Sequence, residues 1–278
     1  PPTPHADMQL GTLHGKPAAM AGLWGSHLAV LDLWLRQGRD GWSVATHRAE
    51  LRPASTLPLS AAARRVLAAN DADHGETLAY IRRPVGATSG PFTSYFALLC
   101  DDPSLQIVIE AQRDEIARRL AGTPYAEIPL LSAAAPLKSG GRAGHDFYTD
   151  VPAGEMAIRH VADLYQYPNT IRAVCITGAE LAEWLERAAG VFARIVPDRP
   201  DQLLLCPDFA RYNFDVIGGV TYAIDPTVPS RYGPRGEPAD PTARRIRDLR
   251  WNGVPVDPAA RFVVATNNYR ADGGGSFP

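Results

Sequence analysis

The stretch that most constrains this chain is Phe262-Val-Val-Ala-Thr-Asn-Asn-Tyr-Arg-Ala-Asp-Gly-Gly-Gly275. Four apolar residues in a row, Phe262 to Ala265, predict a buried strand. The run turns polar at Thr266-Asn267-Asn268 and ends in Tyr269 and a glycine run. Such an end suits a ligand wall. The ring offers a flat face, the amides read hydrogen-bonding edges, and glycines let a ligand approach the backbone. The same residues also fit a plain strand end followed by a flexible terminus.

A second stretch has the same design. Arg211-Tyr-Asn-Phe-Asp-Val-Ile-Gly-Gly-Val220 carries aromatics, an Asn, then apolar residues and a glycine pair. Tyr212 and Phe214 are two apart, so on an extended strand they share a face. Two aromatic strand ends can clamp a planar ring. Base stacking on an aromatic contributes roughly 1–3 kcal/mol and tolerates any base.

The runs Tyr165-Gln-Tyr-Pro-Asn-Thr170, Tyr212-Asn-Phe-Asp-Val-Ile-Gly-Gly219 and Val264-Ala-Thr-Asn-Asn-Tyr-Arg-Ala271 closely resemble the bacterial 2',3'-cyclic-nucleotide 2'-phosphodiesterase/3'-nucleotidases, within the wider 5'-nucleotidase family. The resemblance includes Leu131-Ser-Ala-Ala-Ala-Pro136 and Gly140-Gly-Arg142. It implies an α/β fold with mixed sheets: residues 1–55 as the last strands of a metallophosphoesterase domain, residues 56–75 as a linker helix, and residues 76–278 as a nucleotide-recognition domain.

The resemblance also implies a chemistry. A pair of divalent metal ions (Mn, Co, Zn or Mg) in the metallophosphoesterase domain activates water to attack phosphorus. The C-terminal domain holds the base between two aromatics, which match Tyr212 and Tyr269 here. Asn268, Phe214 and the loop Gly140-Gly141-Arg142 match the pocket rim and the phosphate side. An Arg fork beside glycines suits a phosphate; an exposed turn with a solvated Arg is the alternative. Three positions depart from the pattern. Asp272 stands where close relatives have Tyr, and Gly275 where the 5'-nucleotidases have Asp. Glu110 replaces an Asn that often precedes the residue matching Gln112. The family setting implies the periplasm.

Metals are not expected on this chain. The family's ligand motifs, Asp-x-His, Asn-His and Gly-His-x-His, do not occur in it. No two of His5, His14, His27, His47, His74, His145 and His160 stand two to four residues apart. His27 heads a strand and reads as structural. His145-Asp146 is no relay, since no nucleophile elbow accompanies it. The chain is therefore expected to bind nucleosides and mononucleotides without hydrolysing them. The competing class is a stand-alone binding or interaction domain that never had a catalytic half.

The composition fits these partners. A net charge of -2 over 278 residues, with no basic stripe, argues against polymeric nucleic acid. No apolar run approaches the roughly 20 residues needed to cross a bilayer. No signal peptide is evident, and the opening Pro-Pro-Thr-Pro reads as a trimmed start or the inside of something longer. Cys100 and Cys175 sit in apolar runs and are expected to be buried; with Cys206 they leave a disulfide open.

Element signals fill in the rest. His27–Leu35 and Trp42–Leu51 flank the turn Gly38-Arg-Asp-Gly41, a hairpin that belongs to a larger sheet. Leu59–Asn70 has helical spacing, which Gly75–Ile81 can extend. Asp102 and Pro103 open a helix that runs to about Leu120 and stops at Gly122. Pro129–Ala135 and Ile171–Ile176 read as strands, the second entered through Asn169, which can contact ligand or hold the entrance. Glu180–Ala189 is a helix facing Leu181, Trp184 and Leu185 inward. The five prolines of residues 226–241 predict an exposed loop. Arg244–Trp251 is a strand, and Asn252-Gly253 predicts a hairpin whose return strand is the Phe262 stretch.

Overall fold

A computed structural model describes residues 5–56, 58–141 and 144–277. The chain divides into two compact units, Pro1–Thr77 and Leu78–Pro278.

In the first unit, β1 (Ala6–Asp7), β2 (Thr12–Leu13) and β3 (Lys16–Pro17) form a small antiparallel sheet. The long strands β4 (His27–Gly38) and β5 (Gly41–Pro53) pair from His27↔Pro53 to Gly38↔Gly41. The hairpin and its turn lie where the alternation placed them. The pair stands as a two-stranded sheet, so Leu33, Trp34, Leu35, Trp42 and Val44 stay exposed. Two strands alone cannot cover both faces of a ribbon. Helix α1 (Ala61–Ile81) follows, and Gly75–Ile81 continues it.

The second unit is built on a four-stranded mixed sheet. In chain order its unit has β6 (Pro84–Thr88), β7 (Phe92–Thr93), α2 (Pro103–Leu120), β8 (Leu130–Ala134), β9 (Asp150–Val151), β10 (Gly154–Ala157), α3 (Ile158–Leu164), β11 (Ile171–Thr177) and α4 (Gly178–Ala188). Then come β12 (Val216–Gly218), β13 (Val220–Ile224), β14 (Ile246–Trp251), β15 (Val254–Pro255), β16 (Arg261–Asn267) and α5 (Asn268–Ala271). The main sheet has the order β11-β16-β8-β12. Its β16–β8 pair is parallel and the other two are antiparallel.

Helices cover both faces of this sheet, which explains the unbroken apolar run of β16. Phe262 and Val264 pack with Leu181, Trp184 and Leu185 of α4. Val263 and Ala265, on the other side of the pleat, pack with Ile116 of α2. Both helices start on strong caps. Asp102 accepts from the Ser104 N–H at 2.9 Å, ahead of Pro103. Thr177 and Glu180 form a reciprocal capping box on α4.

Several expectations need correction. The turn Asn252-Gly253 returns through the two-residue β15, in a separate sheet β13-β14-β15, while β16 belongs to the main sheet. Parallel pairing with β8 and a second antiparallel neighbour give the apolar β16 more cover than a hairpin would. Cys175 is exposed because β11 is an edge strand, and Cys100 is exposed at the end of a turn. All three cysteines are free thiols. The proline-rich loop is pinned rather than fully exposed: Arg231 and Tyr232 both donate to Glu183 on α4, at 2.7 and 2.5 Å.

Candidate nucleotide site

Tyr269 sits on α5, the short helix that β16 enters at once. Asn267 caps that helix by accepting from the Arg270 N–H at 2.9 Å. Asn267 also donates to the Tyr165 hydroxyl at 3.0 Å, and Asn169 donates to the same hydroxyl at 3.1 Å. Asn268 is tied to the strand entrance. Its N–H donates to the Thr170 carbonyl at 2.9 Å, and its Oδ1 accepts from the Thr170 N–H at 2.8 Å. Both amides and Asn169 thus hold backbone and a tyrosine in place.

Tyr212 sits on a single 3-10 turn, Arg211–Asn213, rather than on a strand. The turn rotates neighbouring side chains apart. Tyr212 is 47% exposed, while Phe214 is 6% exposed and packs edge-on against Phe192 at 5.6 Å. The shared face expected for Tyr212 and Phe214 does not form, and Phe214 is a core residue away from any rim.

Tyr212 and Tyr269 do come together. Their ring centroids are 6.4 Å apart at an interplanar angle of 73°, and Tyr269 is 42% exposed. Burial, then the Tyr212 ring beside it, pushes the Tyr269 phenol up from its ordinary value. Beneath the pair lies a buried network. Arg270 ion-pairs with Asp215 and donates to the Tyr212 carbonyl at 3.1 Å. The Trp184 indole donates to Asp215 at 2.7 Å, and Asn213 accepts from Arg270 at 3.3 Å. Burial pushes the Asp215 carboxyl up, against the pull of Arg270 and Trp184.

The glycines serve the chain itself. A Cβ at Gly274 would strike the Tyr269 carbonyl and ring, and one at Gly275 would strike Asn213 and Arg270. The run lets the chain fold back beside Tyr269. Gly218 and Gly219 let Ile109 and Leu131 approach β12. Gly140 and Gly141, at φ +69° and +78°, admit the Tyr148 hydroxyl and the Arg211 guanidinium. Arg142 lies outside the described residues.

Sequence reading passed over Arg270, Asp215 and Asn213. The signal for Asn213 and Asp215 was the alternation Tyr212-Asn-Phe-Asp215, in which every second residue is polar. Among the described residues no three His, Cys, Asp or Glu side chains gather as a metal site would require.

The site thus consists of an aromatic pair beside the polar end of β16, in a mixed sheet covered by helices. Residues 101–278 match the family model described as 5'-nucleotidase, C-terminal domain, and the chain belongs to that family. It is 44% identical, over 97% of its length, to a 2',3'-cyclic-nucleotide 2'-phosphodiesterase/3'-nucleotidase of Salmonella typhimurium, of which it covers 43%. It is 42% identical, over 98% of its length, to the trifunctional nucleotide phosphoesterase protein YfkN of Bacillus subtilis, covering 19% of it. The chain thus spans less than half the length of these relatives. A Staphylococcus aureus structure described as a 5'-nucleotidase in complex with alpha-ketoglutarate shares the fold: TM-score 0.62 at 20% identity, over 87% of this chain and 41% of that one.

Proposed function

We propose that this chain is the nucleotide-recognising part of a metal-dependent nucleotide phosphoesterase of the periplasm, and that Tyr212 and Tyr269 grip the base. Its residues 1–55 then contribute strands to a metallophosphoesterase domain, residues 56–75 link, and residues 76–278 recognise the nucleotide. The observation that carries this reading is the pairing of two half-exposed tyrosines from distant segments, both tied to one buried arginine. Two rings that sandwich a base stand about 7 Å apart, twice a van der Waals contact of about 3.5 Å. The observed 6.4 Å is close to that separation, so a base needs the rings turned parallel rather than driven apart. Turning an exposed tyrosine ring is a fast side-chain motion.

Among the described residues no His, Cys, Asp or Glu cluster fits a metal pair, and we assign hydrolysis to the part of the enzyme beyond these elements. The chain by itself binds nucleosides and mononucleotides and releases no phosphate.

Calorimetric titration with adenosine tests the clamp. Tyr212→Ala or Tyr269→Ala should weaken binding about tenfold or more, because each stacked face contributes roughly 1–3 kcal/mol. The phenylalanine variants should bind nearly as wild type does, since stacking needs the ring alone. Alanine variants that fold and bind adenosine like wild type would overturn the assignment. Phosphate release from 3'-AMP by this chain, dependent on Mn2+ and surviving repurification, would overturn the division of labour.

A further inference from the structure

Strand β11 forms one edge of the main sheet. Bonds at its two ends show which backbone groups face outward. The Asn268 N–H donates to the Thr170 carbonyl at 2.9 Å, and the Gly178 N–H to the Ala260 carbonyl at 2.8 Å. Both bonds continue the register that sets Ile171 opposite Asn267 and Thr177 opposite Arg261. Hydrogen-bonded positions alternate along an antiparallel pair. Arg172, Val174 and Ile176 therefore bond to β16, while Ile171, Ala173, Cys175 and Thr177 turn their backbone groups outward. Side chains answer two of these groups: the Thr177 N–H donates to Glu180 at 2.7 Å, and the Ile171 carbonyl accepts from Arg172 at 3.3 Å. Among the described residues nothing bonds the outward N–H and C=O of Ala173 and Cys175, and both residues are exposed. A cation flanks these open groups on each face. Arg172 alternates with Val174 and Ile176, which pack on the α4 side, and its bond to the Ile171 carbonyl sets the guanidinium beside the edge. Arg261 lies on the α2 side with Val263, and its Nη2 reaches across to Cys175 Sγ at 3.0 Å. Both arginines are exposed, and among the described residues neither has an ion-pair partner.

We propose that β11 is a docking edge for a partner protein, which adds an extended acidic segment antiparallel to it and sets two carboxylates, three residues apart, against Arg172 and Arg261. Backbone bonds to Ala173 and Cys175 supply the pairing, and the two arginines select the segment. The residues of an incoming strand that stand opposite Arg172 and Cys175 are three apart. An odd spacing sends their side chains to opposite faces, where the two cations lie. A second copy of this chain is a poor occupant because it brings the same charges. Antiparallel self-pairing centred on Ala173 sets the two Arg172 side chains on one diagonal of the same face. Centring it on Cys175 brings the two Arg261 side chains together. Like charges across a strand pair are destabilising.

The probes are fluorescent peptides of sequence Thr-Val-Glu-Thr-Val-Glu-Val-Thr, and versions with both Glu replaced by Gln or by Lys. Anisotropy at low salt should rank them Glu, then Gln, then Lys, with about a two- to fivefold step for each charge pair. High salt should compress the ranking. Arg172→Gln and Arg261→Gln should each weaken the Glu peptide by about two- to fivefold and leave the Gln peptide unchanged. Hydrogen exchange should show the Ala173 and Cys175 amides newly protected by the Glu peptide. Ala173→Pro removes an outward donor, which an edge strand tolerates, so the variant should fold and no longer bind. If it unfolds, the Ala173 N–H belongs to the ladder with β16 and the outward assignment is wrong. Equal binding of the three peptides, or no added protection at Ala173 and Cys175, overturns the proposal. So does protection that rises with protein concentration alone, which makes a second copy the occupant.

Discussion

Arg270 and Asp215 form a doubly hydrogen-bonded ion pair, Nε to Oδ2 at 2.7 Å and Nη2 to Oδ1 at 3.0 Å, with side chains only 4% and 5% exposed. The pair connects α5, which carries Tyr269, to the segment just after the turn that carries Tyr212. The same guanidinium also holds the Tyr212 and Gly274 carbonyls. Removing one partner leaves a charge buried without its counterpart. Arg270→Met should therefore lower unfolding stability by about 3–5 kcal/mol, measured by urea denaturation. Asp215→Asn keeps the shape and loses the charge, and should fall in the same direction. Unchanged stability in both variants would show that the pair is not what fixes this end of the sheet.

Arg187 provides the internal comparison. It too is fully buried, on α4, but its Nε and Nη1 have no hydrogen-bond partner. Nη2 reaches the Pro234 and Gly275 carbonyls at 3.3 and 3.0 Å, and the Phe209 and Phe277 rings flank the guanidinium. Burial and the nearby Arg270 charge both disfavour its charged form. An apolar side chain of similar length should serve as well or better. Arg187→Met should keep or raise the denaturation midpoint, in contrast to Arg270→Met. A loss of about 3 kcal/mol or more at Arg187 would mean that its two carbonyl bonds and flanking rings outweigh desolvation.

At Gly218 the sheet and helix α2 touch. A Cβ there would overlap the Ile109 side chain, and the residue is not in the left-handed region, so crowding is the sole obstacle. Gly218→Ala should destabilise by about 1–3 kcal/mol, as overpacking does. Removing the clashing Cγ2 should relieve it: Gly218→Ala/Ile109→Ala should be more stable than the sum of the single changes by about 1 kcal/mol. Additive behaviour in that cycle would place the strain elsewhere.

The sequence reading succeeded where one local signal sufficed. Asp102-Pro103 marked the start of α2, and the apolar run of β16 was buried because its neighbours on both faces are helices. It failed where a residue's direction depends on turns that spacing does not show. Period-two counting gave Tyr212 and Phe214 one face, but a 3-10 turn sends one to solvent and the other to the core. The glycines were legible as places of close approach, yet the approaching groups are Ile109, Tyr148, Arg211 and Tyr269, all from this chain. Arg270 and Asp215 are 55 residues apart, and only the folded sheet shows that they pair.

Tyr222 on β13 packs against the main core, and burial pushes its phenol up to about 12 from an ordinary value of 10. Below pH 10 the folded and unfolded chains both keep this proton, so its contribution is fully present. Between pH 10 and 12 the unfolded chain releases a proton that the folded chain retains, and stability falls as pH rises. The loss attributable to this group should reach about 1.4 kcal/mol by pH 11, one unit above the unfolded value, and level off above pH 12. Tyr222→Phe has no proton to lose and should show a shallower decline over that window. Urea denaturation of both proteins at pH 9, 10 and 11 isolates the difference, since the other titrating groups are common to both. Parallel declines would mean that the phenol ionises as readily in the folded protein as in the unfolded chain, and that Tyr222 is not sealed into the core.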